Sequence, residues 1–464
     1  MGAKPVSVWS TLDRRQRHVL MCTLAVNALL FFDQTSVTVA LPAMHREFGA
    51  PTVALQWTIT AYLLALAVFM VVAGRLADRF GRRRMLLAGI GLFGLASAAC
   101  AAAPSFGFLI ATRFVQGIGG AIMQPLALGN TSRAIGEQRR GWAVGLLSTG
   151  GTTFLTVGPV LSGVIVDVAS WRWLFVINLP VVVFALYQGR RWITPSREAQ
   201  PTRIEGAGLL LLITGLASVV IGVSQLSVWR SVAPVLILVG ALLLGLLVRH
   251  ELRSNHPLVP VALLGRNRYL LAALTALFAI QFAVLGTSVY LVIFLQHGMG
   301  ERALTAGLVL ALSGMFTPLL SLSTGRFTDR HGPRGLVLGG LALATAGLIW
   351  VGLAAPHREL WLLIPGLLAF SLSRPAVFTP ASAGAFTTIS PNRSGLASGL
   401  VTEARQLGSV FGVAVLGAVI AGTHGDLPGA EGFSAAMLVA AAVTAIAGII
   451  TAFVLPRKHQ STPR

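Results

Sequence analysis

Charge is in short supply in this chain: Asp, Glu, Lys and Arg together make up 11% of its 464 residues, while hydrophobic residues make up 55%. A soluble domain of that length would have too little charged surface to stay dispersed, so a membrane protein is expected. Lysine is scarcer still. With only Lys4 and Lys458, no phosphate loop ending in Gly-Lys-Ser/Thr exists. There are two cysteines, Cys22 and Cys100, both inside apolar runs, which reads as free packing thiols and excludes a disulfide framework or a thiolate metal site. No His-Glu-x-x-His motif occurs, and Gly117-Ile118-Gly119-Gly120 departs from the dinucleotide fingerprint and lies in mid-run. The chain is therefore expected not to be an enzyme, with no catalytic residue, no metal site and no cofactor.

What is abundant is apolar sequence in long runs. A bilayer-spanning helix needs roughly 20 mostly apolar residues, because a backbone N–H or C=O left unpaired in hydrocarbon costs several kcal/mol. Fourteen such helices are predicted, at 18–41, 54–74, 85–103, 106–128, 142–166, 173–189, 206–223, 232–249, 269–295, 303–324, 335–354, 360–378, 396–421 and 433–455. The charges sort by loop. The amino-terminal tail (Lys4, Arg14, Arg15, Arg17) and every second loop after it hold about 27 of the 35 Lys+Arg and about 7 of the 15 acids, whereas the alternate loops come out near neutral. By the positive-inside rule this predicts a multi-pass protein of the cytoplasmic membrane with both termini cytoplasmic. The net charge of +20 then reads as topology and contact with anionic membrane lipids rather than nucleic-acid binding. The first run is too long for the apolar core of a cleavable signal peptide. Asn130-Thr131-Ser132 and Asn392-Arg393-Ser394 fit the glycosylation pattern but fall on the predicted cytoplasmic side.

The chain also repeats itself. Gly74-Arg75-Leu76-Ala77-Asp78-Arg79-Phe80-Gly81-Arg82-Arg83 and Gly325-Arg326-Phe327-Thr328-Asp329-Arg330-His331-Gly332-Pro333-Arg334 both read G-R-x-x-D-R-x-G-x-R. Each follows the second helix of a six-helix block, which divides the chain into 1–190, an amino-terminal bundle, 191–268, a linker with two further helices, and 269–464, a carboxy-terminal bundle. The two extra helices carry no ionisable residue in their apolar centres and are expected to face lipid.

Several segments resemble one known family. The Gly74–Arg84 loop is similar to the signature loop of the major facilitator superfamily, and the count of fourteen spans resembles its drug:proton antiporter-2 branch. Phe32–Pro42 (FDQTSVTVALP) resembles that branch's first-helix motif, Arg113–Ala121 (RFVQGIGGA) its fourth-helix motif, and Gly158–Gly163 (GPVLSG) its helix-five antiporter motif. Trp171–Pro180 is similar to the segment that follows, and Gly395–Gly399 with Arg405–Gly408 to its thirteenth helix. The resemblance covers the whole chain and implies an all-α major facilitator fold: two six-helix bundles around a central cavity, rocking between two openings. Ser162 stands where the helix-five motif usually has glycine, and no acid lies in predicted helices nine to twelve, where some relatives that take divalent cationic drugs carry one.

A charge in hydrocarbon costs about 2.5 to 3.5 kcal/mol on insertion scales, so ionisable residues inside spans are functional candidates. Asp33 and Arg113 each fall roughly 10 to 12 Å below the predicted outer surface and can be neighbours. A paired guanidinium favours an ionised carboxylate and burial disfavours it, so moving between two such environments loads and releases a proton. The alternative is a fixed ion pair locking two helices. On the inner side Glu403 can pair with Arg374 or act as a second protonation site, while Arg405, two residues on, points elsewhere. Asp33, Arg113 and Glu403 are the proton-coupling candidates.

In the loop, Gly74, Arg75, Asp78, Arg79, Gly81 and Arg82 are implied by the resemblance to form a conformational latch, with orientation by positive charge as the plainer reading. Asp329, Arg374 and Arg405 join them as switch candidates. Gly158 and Pro159 suit a close, bent contact between moving halves, with Gly314 and Pro318 as a matching surface, and plain helix packing explains the same residues. Candidate substrate contacts are Phe31, Phe32, Asp33, Trp57, Tyr62, Gln116, Phe282, Tyr290 and Phe294. With no nucleotide site, energy must come from an ion gradient, which the resemblance implies is one of protons. The expected function is proton-coupled antiport of hydrophobic or amphipathic drugs, antibiotics and dyes by a monomer. An exporter or flippase of lipid-like metabolites and a carrier of another solute are the alternatives. A sensor or scaffold would need a soluble domain that tails of about 17 and 9 residues do not offer.

Overall fold

In hydrocarbon every amide must find its partner within its own segment, which leaves the helix as the form an apolar run can take. The computed structural model describes residues 12–50, 52–136, 139–195, 205–254, 261–389, 394–423 and 429–454, and among them no strand forms. Fourteen long helices run back and forth: α1 (Arg14–Phe48), α2 (Trp57–Phe80), α3 (Arg82–Ala101), α4 (Phe106–Ile135), α5 (Arg140–Val168), α6 (Asn178–Trp192), α7 (Gly206–Ser224), α8 (Val232–Glu251), α9 (Arg268–Ile293), α10 (Ala303–His331), α11 (Pro333–Ala354), α12 (Leu360–Thr387), α13 (Ser394–Gly422) and α14 (Ala430–Val454). Thirteen of them are long and apolar enough to cross a membrane, α6 when taken with the residues from Trp173, and α2 does so with a bend of 51°. The chain is a multi-pass membrane protein. The face where α1 begins and α14 ends is called the terminal face below, and the opposite one the far face.

Local signals set the helix ends. Asp13 opens α1 with a capping box: its Oδ1 accepts from Gln16 N at 2.7 Å while Gln16 Oε1 accepts from Asp13 N at 3.1 Å. The predicted end near Pro42 is overrun. A proline removes one hydrogen bond but does not stop a helix held by its neighbours, and α1 continues to a left-handed Gly49 at φ +61°. The two repeated loops turn on equivalent glycines. Gly81 has φ +97° and Gly332 φ +78°, a region that side chains with a Cβ avoid, so the second glycine of G-R-x-x-D-R-x-G is required by the backbone.

Helices α1–α6 pack on one another, as do α9–α14. Between hydrocarbon-clad helices there is no hydrophobic drive, so close approach over small residues holds them together. The halves meet chiefly through α5 against α10 and α2 against α13. There, a Cβ on Gly163 would come within 2.7 Å of the Ala303 carbonyl oxygen, and one on Gly307 would collide with that of Pro159. The helix-five motif thus forms part of the seam. α10 breaks at Ser313–Met315, and α12 satisfies the freed backbone: Arg374 Nη1 donates to Ser313 O at 2.9 Å, and Phe316 N donates to Ser371 Oγ at 3.3 Å. The extra helices α7 and α8 pair with each other. α8 exposes Val235, Leu238, Leu242 and Leu246 along one stripe, while α7 touches α2 and α13.

Candidate functional site

Three helices converge on Asp33. It lies 15 residues before the end of α1, and because α1 overhangs the start of α4 it still meets Arg113, seven residues into α4. Arg113 Nη1 donates to Asp33 Oδ2 at 2.6 Å, and Gln116 Nε2 donates to Asp33 Oδ1 at 3.0 Å. Arg113 and Gln116 are three apart on α4, so one helix face presents both, and Arg113 Nη1 also reaches Gln116 Oε1 at 2.7 Å. From α2, Thr58 O accepts from Arg113 Nε at 2.9 Å, and the Tyr62 ring lies 4.3 Å from the guanidinium carbon. Asp33 and Arg113 are each 1% exposed. The carboxylate therefore has both oxygens bonded and its charge balanced.

The remaining candidates fall into distinct places. Phe31 lies against Gly151 of α5, Phe32 is buried near Gly158, and Trp57 is half-buried at the start of α2. Tyr290 belongs to a closure at the far face. Its hydroxyl donates at 2.7 Å to Gln56 Oε1 in the other half and lies 2.7 Å from Val413 O. Gln296 Nε2 donates to Val39 O at 3.1 Å, and Asp167 Oδ2 accepts from Leu304 N at 3.2 Å and pairs with Arg302 at 3.5 Å. Deeper in the seam, Gln406 Nε2 donates to Gln124 Oε1 at 3.2 Å.

Phe294 and Phe282 lie in the second half: the Phe294 ring stacks on Phe433 with centroids 4.5 Å apart, and the backbone of Phe282 lies against Gly412. One expectation is corrected: Glu403 does not pair with Arg374. Arg374 turns to the α10 break, Arg405 lies 4.9 Å from the Phe378 ring, and among the described residues neither arginine has a carboxylate within 4 Å. Position along a helix fixes depth but not rotation, and rotation sends these groups to different neighbours.

Asp78 Oδ1 accepts from Arg82 Nη2 at 3.1 Å, Arg79 lies over Phe80, Asp329 is exposed, Arg75 is half-buried, and a side chain at Gly74 would meet open space. Gly158 faces α1, where a Cβ would come 2.8 Å from Thr35 Oγ1, while Pro159 faces α10. Gly314, expected as a partner surface, lies beside Arg374 Nη1. Sequence reasoning missed Thr58, Gln56 and Asp167. Thr58 acts through its carbonyl, which any residue supplies. Gln56 and Asp167 sit at helix ends, where polar residues are ordinary.

A buried ion pair between helices of one half, beside a seam closed at one end, is the anatomy of a carrier. The sequence profile of the Major Facilitator Superfamily matches residues 23–413 and again 303–464. The chain belongs to the major facilitator superfamily. Like its members it is a transporter, not an enzyme, and it moves small molecules. It is 32% identical over 415 residues to "Multidrug resistance protein Stp" of Mycobacterium tuberculosis (strain CDC 1551 / Oshkosh), covering 88% of this chain and 77% of that one. It is 30% identical over 465 residues to "Puromycin resistance protein pur8" of Streptomyces alboniger, covering 94% and 91%. With the "Probable actinorhodin transporter" of Streptomyces coelicolor it shares 32% over 422 residues, covering 87% and 72%. Among solved structures, a POT family transporter in complex with 5-aminolevulinic acid superposes with a TM-score of 0.72 at 15% identity over 94% of this chain and 96% of that one. The xylose transporter XylE of E. coli superposes with a TM-score of 0.66 at 14% identity over 97% and 100%. At such identities the superpositions speak to the major facilitator fold alone.

Proposed function

We propose that this protein exports hydrophobic or amphipathic small molecules, drugs and antibiotics among them, across the cytoplasmic membrane in exchange for protons. The cargo reading draws on relatives named for multidrug resistance, puromycin resistance and actinorhodin transport. The observation that carries the coupling is Asp33, with both carboxylate oxygens bonded in a site that is 1% exposed. In this reading the terminal face, with its basic loops, is the cytoplasmic one. The far-face contacts then close the outside, and the conformer is the one that has given up its proton and formed the ion pair. Opening outward lets a proton reach Asp33 and releases Arg113. Return to the inward conformer delivers the proton inside.

In this scheme 1–190 and 269–464 are the two moving bundles, and 191–268 carries helices that ride outside them. Gly158 and Pro159 lie in the surface over which the halves rock. Asp78, held by Arg82 in this conformer, is free to cross to the second half in the other. Phe31, Phe32, Trp57, Tyr62 and Gln116 are the cargo contacts nearest the coupling pair, and Glu403, which has no ion-pair partner among the described residues, is a second group able to take a proton. No cofactor is needed, and a single chain contains every part.

Asp33→Asn keeps the shape of the side chain and removes the charge. It is expected to abolish ethidium efflux driven by a proton gradient in everted vesicles, at unchanged protein level in the membrane. Efflux that persists at the wild-type rate and still collapses with the pH gradient would sink the coupling role.

A further inference from the structure

The two halves carry unequal solutions to the same problem. The fourth helix of each block bears a buried arginine, Arg113 on α4 and Arg374 on α12. In the first block the first helix supplies the matching carboxylate, Asp33. In the second, α9 runs from Arg268 to Ile293 without an Asp or Glu. Arg374 is nonetheless 4% exposed, and its single hydrogen bond spends Nη1 on Ser313 O while its Nε has no partner.

A second cation lies alongside. Arg405 on α13 reaches over Phe378, one helical turn beyond Arg374 on α12, and its Nε is likewise buried without a partner. Among the described residues, Asp or Glu carboxylates are absent from within 4 Å of both, and Glu403, on the same helix as Arg405, pairs with neither. An uncompensated charge at this depth is costly, and a buried guanidinium recovers that cost best from an oxyanion that takes two of its donors at once. The position suits cargo. Arg374 Nη1 sits at the notch left by Gly314, which opens toward Thr156 of α5 in the other half, and Gln406, next to Arg405, bridges the seam to Gln124.

We propose that Arg374 and Arg405 form an anion subsite that takes the carboxylate, sulfonate or phenolate of an amphipathic cargo, whose apolar body lies along the seam. The cargo supplies the carboxylate that α9 lacks. The subsite thereby adds a preference for acidic amphipaths to the cargo range, and it rests on the export reading above.

The test uses everted vesicles with two dyes, anilinonaphthalene sulfonate as the anion and ethidium as the cation. Wild type is expected to accumulate the sulfonate. Arg374→Gln and Arg405→Gln are each expected to raise its KM about tenfold, the cost of one charge-assisted contact, and Arg374→Lys by clearly less, at equal amounts of monodisperse protein. Wild type that moves ethidium but not the sulfonate, or Gln variants that move the sulfonate as well as wild type, overturns the subsite and leaves export standing. Wild type that moves neither dye under a proton gradient overturns export itself. If the Gln variants are not recovered from the membrane, the preference of wild type between the two dyes decides alone.

Discussion

Arg113 is among the largest fully buried side chains in the protein, and its charge is tolerable only because Asp33, Gln116 and Thr58 surround it. Removing one member of such a pair leaves the other buried and unpaired, which costs about 3 to 5 kcal/mol, whereas replacing both by apolar groups is far milder. Arg113→Leu is therefore expected to lower the melting temperature in detergent more than the double variant Asp33→Leu/Arg113→Leu does. Equal losses from the single and double variants would show that packing, not charge, dominates the site. The pair was legible in the sequence because an ionisable residue inside an apolar run is conspicuous. The partners of Arg374, Arg405 and Glu403 were not, since depth follows from counting residues while the direction a side chain faces depends on how the helix is rotated against its neighbours. Arg374 answers a break in α10 that no motif announces.

Among the helices, α5 and α10 make the tightest contact across the halves. The backbone of Pro159 sits where a side chain on Gly307 would begin, so Gly307→Leu must push the two helices apart. Overpacking of this kind costs about 1 to 3 kcal/mol, and here the strain falls on the seam between the halves. Gly307→Leu is expected to lower the melting temperature and slow export, whereas Gly339→Leu on α11, where a Cβ meets nothing within 4 Å, should change neither. The comparison is read from thermal unfolding and vesicle transport on the same preparations, and a harmless Gly307→Leu would mean that the seam is looser than it is drawn. At this scale the sequence is informative about number and order: spans that read as long apolar runs emerge as helices. Ends are less legible. α1 runs past Pro42 to Phe48, and α12 runs past 378 to Thr387 through Pro365, Pro375 and Pro380, because neighbouring helices hold a proline-bearing segment that would break in isolation. Residues 173–189 fall within one candidate span, Trp173–Trp192, in which a four-residue helix at Trp173–Val176 precedes α6.

The molecule as a whole is held in one conformer by a few contacts at the far face, and none is strong alone. The Tyr290 hydroxyl joins Gln56 of the first half to its own half, and Tyr290→Phe removes that link with little change in shape. A hydrogen bond of this sort contributes about 0.5 to 1.5 kcal/mol net, so the ratio of far-face-open to far-face-closed molecules should rise roughly 2- to 10-fold. Spin labels at Arg46→Cys and Glu359→Cys, exposed positions at the far face in opposite halves, would report it by double electron–electron resonance. The native Cys22 and Cys100 are buried, so background labelling should be low. Wild type should give mainly the shorter distance, and Tyr290→Phe should add a longer one without shifting the first, since two discrete arrangements exchange population. A single distance that lengthens gradually would point to a flexible seam, and an unchanged distribution would move the gate from Tyr290 to the Asp167–Arg302 pair.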